Sequence, residues 1–296
     1  MRSRIKKIVK RIPLSAQTHL LLLRVSHSIN KAIKIKTLKS KQGRPFESNP
    51  ESNLIVSLTS FPARIDDVWI TIETIFQQNY KPWKVILVLA ENEFPDKKIP
   101  ESLVQQVNRG LEIIWTDRNT KSYKKLLPTR NAYPDSHIVT VDDDVFYEPW
   151  RLSGFISAIK THPDSIIGYR GWEVSIDNGK LNPYSTWKPA TESTAKNKTF
   201  LTGVGGVLYP PGILNSEMLF DIDAALELSP SADDIWFWAV ALSSGVPVHC
   251  IGYDKHLQIS PWETENALCT LNVLGGRNDI QLSSVIKTYD LAKLLI

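Results

Sequence analysis

A chain of 296 residues with 42% hydrophobic and 22% charged residues, 14 Gly and 18 Pro, has the composition of an ordinary globular protein, which excludes collagen-like and wholly disordered classes. Its two cysteines, Cys250 and Cys269, form at most one bridge and sit in no zinc-type spacing, so a disulfide scaffold and a zinc finger are excluded as well. The net charge of +4 is unevenly spread: residues 1–46 hold 13 Lys or Arg and no Asp or Glu, which leaves 22 basic against 31 acidic residues, a net of −9, in the remainder. A body of that sign has no basic groove for nucleic acid, so no nucleic-acid partner is expected.

The basic leader carries Ile5, Ile8, Val9 and Ile12 at helical spacing with Lys6, Lys7, Lys10 and Arg11 on the other faces, and Pro13 ends the pattern. A second amphipathic run goes from Leu20 through Val25 and Ile29 to Ile33. Helices of this kind lie on anionic membrane surfaces, so residues 1–40 are expected to contact one; a helix packed on the body or on a partner is the other reading. The longest apolar stretch there, residues 20–23, falls far short of the roughly 20 residues that cross a bilayer, and no signal-peptide pattern is present. A cytoplasmic location, with the chain peripheral on the inner face of the membrane, is the expectation.

Residues 41–52 (KQGRPFESNPES) read as a linker, which divides the chain into an extension over 1–46 and a domain over 47–296. Within the domain, strands are predicted at 54–58, 84–90, 112–115 and 137–141, alternating with helices over 68–76, near 100–108 and around 123–131. This alternation builds βαβ units and a mostly parallel sheet, whose ligands sit at the carboxyl ends of the strands. After Pro149 the pattern changes. A helix over 150–160 precedes alternating segments with the hairpin-type turn Asp177-Asn178-Gly179-Lys180, a Gly-containing strand or strand-loop over 200–209, a helix over 232–243 and a strand over 246–251. The halves 47–149 and 150–296 therefore read as nucleotide-binding and substrate-shaping.

The sharpest chemical signal is Ile138-Val139-Thr140-Val141-Asp142-Asp143-Asp144, an apolar strand ending in three carboxylates. Adjacent carboxylates repel, and a divalent cation is the simplest compensator. Hard oxygen ligands select Mg²⁺ or Mn²⁺, which also take oxygens from a bound diphosphate. On an extended segment Asp142 and Asp144 face one way and Asp143 the other. A plain acidic cap on the helix after Pro149 is the alternative. A second pair, Asp233-Asp234, opens the helix over 232–243. One of them can cap that helix and the other can act as a general base, its pKa raised in a water-poor site; capping alone is the competing reading.

Ser57-Leu58-Thr59-Ser60-Phe61-Pro62-Ala63-Arg64 after the first strand, Asp142-Asp143-Asp144 after the fourth, Gly203-Val204-Gly205-Gly206 and Asp233-Asp234-Ile235-Trp236, in that order, resemble bacterial glycosyltransferases of the GT-A fold, of the type encoded with surface or capsular polysaccharide synthesis. The likeness covers residues 53–260. It implies an α/β architecture in which a Rossmann-like nucleotide-sugar half with a mostly parallel mixed sheet is fused to an acceptor-binding half. It further implies a metal-dependent, inverting enzyme that moves a sugar from a nucleoside-diphosphate sugar to a saccharide or lipid-linked acceptor. By the resemblance, Thr59, Arg64, Glu91, Asp117, Lys125, Asp142 and Asp143 bind the donor, and Asp144 and Asp142 hold the metal with His256 as a late third ligand. Asp234 is the base, and Gly205, Gly206, Asp233 and Trp236 face the sugars. From the residues alone, Arg64 and Lys125 read equally well as solvated surface charges, and Trp172, Trp187 and Trp238 as core aromatics rather than sugar platforms. A strand bulge explains the glycines as well as close approach to a sugar does. A metal-dependent phosphatase, a nucleotidyltransferase and a non-catalytic membrane-associated binding protein are the rival functions.

Overall fold

The computed structural model describes residues 29–177, 180–214, 216–252, 258–259, 272 and 275–295. The chain divides into two compact units, Met1–Gly43 and Arg44–Ile296. In the first, residues 29–39 are helical and leave Ile29 and Ile33 55% and 59% exposed, a solvent-facing apolar stripe on the second run of the basic leader. The first run, and the second as far as residue 28, lie outside the described residues.

In the second unit the strands follow the apolar runs. β1 (Leu54–Thr59), β2 (Lys84–Ala90), β3 (Leu111–Thr116) and β4 (His137–Thr140) are joined through α1 (Val68–Phe76), α2 (Glu101–Arg109) and α3 (Leu127–Ala132). β5 (Val145–Phe146) and α4 (Arg151–Thr161) precede the short strands β6 (Ile166–Gly168), β7 (Gly171–Glu173), β8 (Ile176–Asp177), β9 (Lys180–Leu181), β10 (Lys188–Pro189), β11 (Thr199–Leu201) and β12 (Val207–Tyr209). α5 (Glu217–Phe220), α6 (Ile222–Leu228), α7 (Asp233–Ser243), β13 (Val248–Cys250), β14 (Gln258–Ile259) and α8 (Arg277–Thr288) complete the regular elements used below. Nearly all of β1 and β2 is buried, because parallel strands covered by helices on both faces need continuous apolar runs.

The main sheet has the order β13-β6-β12-β4-β1-β2-β3. All neighbours in it are parallel except that β12 runs antiparallel to both β4 and β6. From β1 the chain builds outward to β2 and β3, then returns to place β4 on the other side of β1, so the strand order reverses between β1 and β4. The carboxyl ends at such a reversal form a crevice. The antiparallel run of β12, with Val207 opposite Thr140, brings the residues before β12 to the same end as the residues after β4. A small sheet β10-β7-β11 and the pair β8-β9 form the other half. The pairing of Asp177 with Lys180 has the register of a two-residue turn, whose residues Asn178 and Gly179 lie outside the described residues.

α1 is buried along its whole length, Glu73 included. Glu73 accepts from Arg109 Nη1 at 2.5 Å, from Gln106 Nε2 at 3.2 Å and from Gln77 Nε2 at 2.8 Å. Arg109 also donates to the Arg44 carbonyl at 2.6 Å and lies over the Phe76 ring, on which Phe46 stacks at 4.5 Å. The expected linker over 41–52 is thus part of the domain from Arg44 onward. Breaking a buried ion pair from one side leaves an uncompensated charge, so Arg109→Leu is expected to lower unfolding free energy by about 3–5 kcal/mol in urea titration, with Glu73→Leu/Arg109→Leu losing much less.

Candidate active site

The crevice at the ends of β1 and β4 collects the two acidic clusters. Val141 donates to the Ser57 carbonyl at 3.0 Å, and the chain then leaves the sheet in a turn at Asp143 and Asp144 before β5. The expected alternation of three carboxylates along an extended segment does not hold, because a turn re-aims them. Thr71 of α1 fixes this turn, its hydroxyl donating to the Asp143 carbonyl at 2.8 Å. Asp143 points inward: Ser60 Oγ donates to it at 2.6 Å and Arg64 Nη1 at 2.7 Å. The same Arg64 nitrogen lies 2.9 Å from Asp144 Oδ2. Asp142 ion-pairs with Lys125 at 3.1 Å, and its backbone N–H donates to the buried Tyr147 hydroxyl at 2.9 Å.

Asp233 and Asp234 enter from the first turn of α7. Neither caps it: Ala232 occupies the cap position, and no side chain closes that helix end. Asp233 Oδ2 instead pairs with Lys125 Nζ at 3.0 Å, and both Asp234 oxygens accept from the Gly203 N–H, at 3.1 and 3.2 Å. The preceding loop is pinned from several sides. The Tyr123 hydroxyl donates to the Ser229 carbonyl at 2.8 Å, Ser231 N–H donates to Gln281 of α8 at 3.0 Å, and Asn272 Nδ2 donates to the Ser231 carbonyl at 2.7 Å.

Burial and crowding set the protonation states. The Asp234 carboxyl is pushed up to about 7, by burial first and then by the neighbouring charges of Asp233 and Asp142, which outweigh the pull of Lys125. It borders an apolar cavity lined by Leu201, Val207, Phe237 and Trp238, a water-poor setting. Asp144 is pushed up to about 6 by burial and by Asp142 beside it. Burial raises Asp143 as well, against the opposing pull of Arg64 and Ser60. Burial alone would lower the Lys125 ammonium, but Asp142, Asp233 and Asp234 reverse that and hold it well above its usual value.

The structure therefore brings together Arg64, Lys125, Asp142, Asp143, Asp144, Asp233 and Asp234, and neither Arg64 nor Lys125 is a solvated surface charge. These two cations supply much of the compensation that the sequence argument gave to a metal. Asp142 and Asp144 still keep 30% and 19% of their side chains exposed. Among the described residues no group of three or more His, Cys, Asp or Glu side chains is arranged to hold an ion. Two open carboxylates nevertheless fit Mg²⁺ or Mn²⁺ of the kind that completes its shell with water and phosphate oxygens. His256 lies outside the described residues.

Other expected positions fall elsewhere. Thr59 is at the end of β1, with its hydroxyl donated to the Val88 carbonyl at 2.7 Å. Glu91 and Asp117 follow β2 and β3 on the same sheet edge; Glu91 is paired with Lys97 at 2.8 Å and 46% exposed, and Asp117 is exposed. Trp236 is fully buried in the core with its ring against Tyr289, so it presents no surface to a sugar. Trp187 is buried too, its indole donating to the Asn182 carbonyl. A Cβ on Gly205 would meet the Arg170 backbone N at 3.2 Å, and one on Gly206, whose φ is +83°, would meet Phe155 at 3.3 Å. Both glycines are packed against protein rather than open to a ligand. The glycine that faces the carboxylates is Gly203. Ser60, within the motif after β1 but not singled out there, and Tyr147, which no signal in the sequence marks, also belong to the site.

No family model and no curated protein sequence matches the chain. Among solved structures, it is similar to S. aureus TarS 1-349 in complex with UDP, at 14% identity and a TM-score of 0.46 over 69% of this chain and 59% of that one. The chain thus spans less than two thirds of the TarS chain. It is also similar to the mannosyltransferase PcManGT from Pyrobaculum calidifontis in complex with GDP-Man and Mn²⁺, at 10% identity and a TM-score of 0.45 over 92% of this chain and 84% of that one. A further similarity is to a 4-diphosphocytidyl-2C-methyl-D-erythritol synthase, at 13% identity and a TM-score of 0.38 over 75% of this chain and 98% of that one.

Proposed function

We propose that the chain is a metal-dependent, inverting glycosyltransferase of GT-A type that moves a sugar from a nucleoside-diphosphate sugar to a saccharide or lipid-linked acceptor hydroxyl in surface polysaccharide synthesis. The observation that carries this reading is Asp234: a half-buried carboxyl tuned to about 7, held by the Gly203 N–H, in one cage with the strand-end carboxylates Asp142 and Asp144. Asp234 takes the acceptor hydroxyl proton as that oxygen attacks the anomeric carbon. The bond from that carbon to the phosphate oxygen breaks, and its electron pair leaves with the nucleoside diphosphate. Asp144 and Asp142 would hold a divalent cation, whose charge would stabilise that leaving group. Thr59, Glu91 and Asp117 line the strand ends where the nucleoside would lie, and Arg64 orients Asp143 and Asp144.

The test is release of nucleoside diphosphate from a panel of UDP, GDP, CDP and TDP sugars with Mn²⁺ or Mg²⁺ and lipid-linked or free saccharide acceptors. Release of pyrophosphate from a nucleoside triphosphate would favour a nucleotidyltransferase instead. Release of inorganic phosphate from a phosphate monoester would favour a phosphatase.

The 13 basic residues of the leader and its exposed Ile29 and Ile33 support a peripheral position on an anionic membrane at the cytoplasmic face. Among the described residues no helix is long and apolar enough to cross a membrane. Co-sedimentation with vesicles containing 30% anionic lipid is expected to fall at least about tenfold on deletion of residues 1–40, and to weaken with added salt; unchanged partitioning would remove the membrane from the proposal.

A further inference from the structure

We infer that Lys125 is a positioning residue: its ammonium clamps the strand-end carboxylate of Asp142 to the helix-start carboxylate of Asp233 and so sets the spacing between the donor side and the acceptor side of the site. The catalytic consequence rests on the transferase reading; the clamp itself does not.

The two ion pairs, 3.1 Å to Asp142 and 3.0 Å to Asp233, join the segment after β4 to the first turn of α7 through one ammonium. The Lys125 side chain is 6% exposed, so its charge is spent on these carboxylates rather than presented to a phosphate in the crevice. A compact ammonium with three donors suits such a junction better than a planar guanidinium.

Gly203 is the second half of the device. A Cβ there would stand 2.8 Å from Lys125 Nζ, 3.2 Å from Asp142 Oδ1 and 3.4 Å from Asp234 Oδ1. Gly203 is not among the glycines with positive φ, so its backbone would accept any residue, and what the position needs is space. Its N–H meanwhile holds Asp234. One residue without a side chain therefore makes room for the clamp and anchors the base, and the clamp fixes Asp233, the neighbour of that base. Misplacing reacting groups by about 1 Å costs on the order of 10²-fold in rate.

The experiment compares full-length wild type, Lys125→Met and Gly203→Ala for kcat and donor KM, and follows urea unfolding midpoints of Asp142→Asn, Asp233→Asn and the double variant. Gly203→Ala keeps every charge and is expected to lower kcat about 10²-fold. Lys125→Met should do the same, with donor KM changed less than roughly tenfold in both, the signature of lost transition-state positioning. The two Asn substitutions should be non-additive in unfolding midpoint, since both carboxylates bind the one Lys125 ammonium. Three results would overturn the clamp: wild-type kcat in Gly203→Ala, a large rise in donor KM with kcat kept in Lys125→Met, or additive midpoints. If wild type releases no nucleoside diphosphate from any donor, the transferase reading fails, and the unfolding midpoints still decide the clamp. If Lys125→Met does not fold, Gly203→Ala and the Asn pair decide it.

Discussion

Asp234→Asn is expected to lower kcat by about 10³-fold while leaving nucleoside-diphosphate binding close to that of wild type, because a positioned general base contributes on the order of 10²–10⁴. Asparagine keeps the shape and can still meet the Gly203 N–H through its carbonyl oxygen, so the loss isolates proton transfer. The pH profile gives a second check. A base works when deprotonated, and this carboxyl is pushed up to about 7, so the wild-type rate should fall as pH drops through about 7. The stability of the fold moves the other way. Between the ordinary value of 3.8 and about 7 the folded state retains a proton that the unfolded chain has released, so stability falls as pH rises across that window. Asp234→Asn has no charge to bury, and its melting temperature at pH 8 should exceed that of wild type. A variant with wild-type kcat would remove Asp234 from the mechanism. One that is inactive but melts lower at pH 8 would show that burial of this charge costs the fold nothing.

Asp144→Ala is expected to abolish the Mn²⁺-dependent stabilisation by the matching nucleoside diphosphate. At 100 times its dissociation constant a ligand adds about 2.7 kcal/mol, which for a domain of this size is about 5–10 °C in melting temperature. The fold itself should tolerate the change. Arg64 keeps its 2.7 Å pair with Asp143, and the deleted carboxyl is one that burial and Asp142 already hold at about 6. The unliganded variant should therefore melt no lower than wild type at pH 8. An undiminished Mn²⁺-dependent shift would move the cation away from Asp144. No shift in wild type with UDP, GDP, CDP or TDP would count against the donor class altogether.

The parallel half of the sheet was legible because its strands are buried on both faces and so are spelled as apolar runs. β2 and α1 fall at the expected residues, and β1 differs by one residue at its end. The acidic clusters were legible because charge at the end of an apolar strand, or at the start of an apolar helix, has to be explained. What was not legible depended on contacts between distant segments. Lys125, a candidate only by the resemblance, stands in the 3₁₀ turn Lys121–Lys125 rather than in the helix expected around 123–131, and Tyr123, Lys124 and Lys125 are all buried. Their partners come from the segments after β2 and β4, the end of α6 and the start of α7, and local spacing cannot reveal them. The cap reading of Asp233-Asp234 failed because Gly203 and Lys125 offer these carboxylates better partners than their own helix does. Gly203, Gly205 and Gly206 are alike in sequence; the antiparallel entry into β12 decides which of them faces the carboxylates.

That antiparallel strand also shapes how the protein must be made. β12 lies between β4 and β6 in the sheet, although 67 residues separate Thr140 from its partner Val207 along the chain. At roughly 5–20 residues per second, the nascent chain spends about 3–13 s with the apolar edge of β4 uncovered and β6 unable to join the sheet. An open apolar edge is a template for pairing with another chain. Truncations ending between β6 and β12 should therefore aggregate rather than yield a stable nucleotide-binding half, and demand for chaperones during synthesis should peak in that interval.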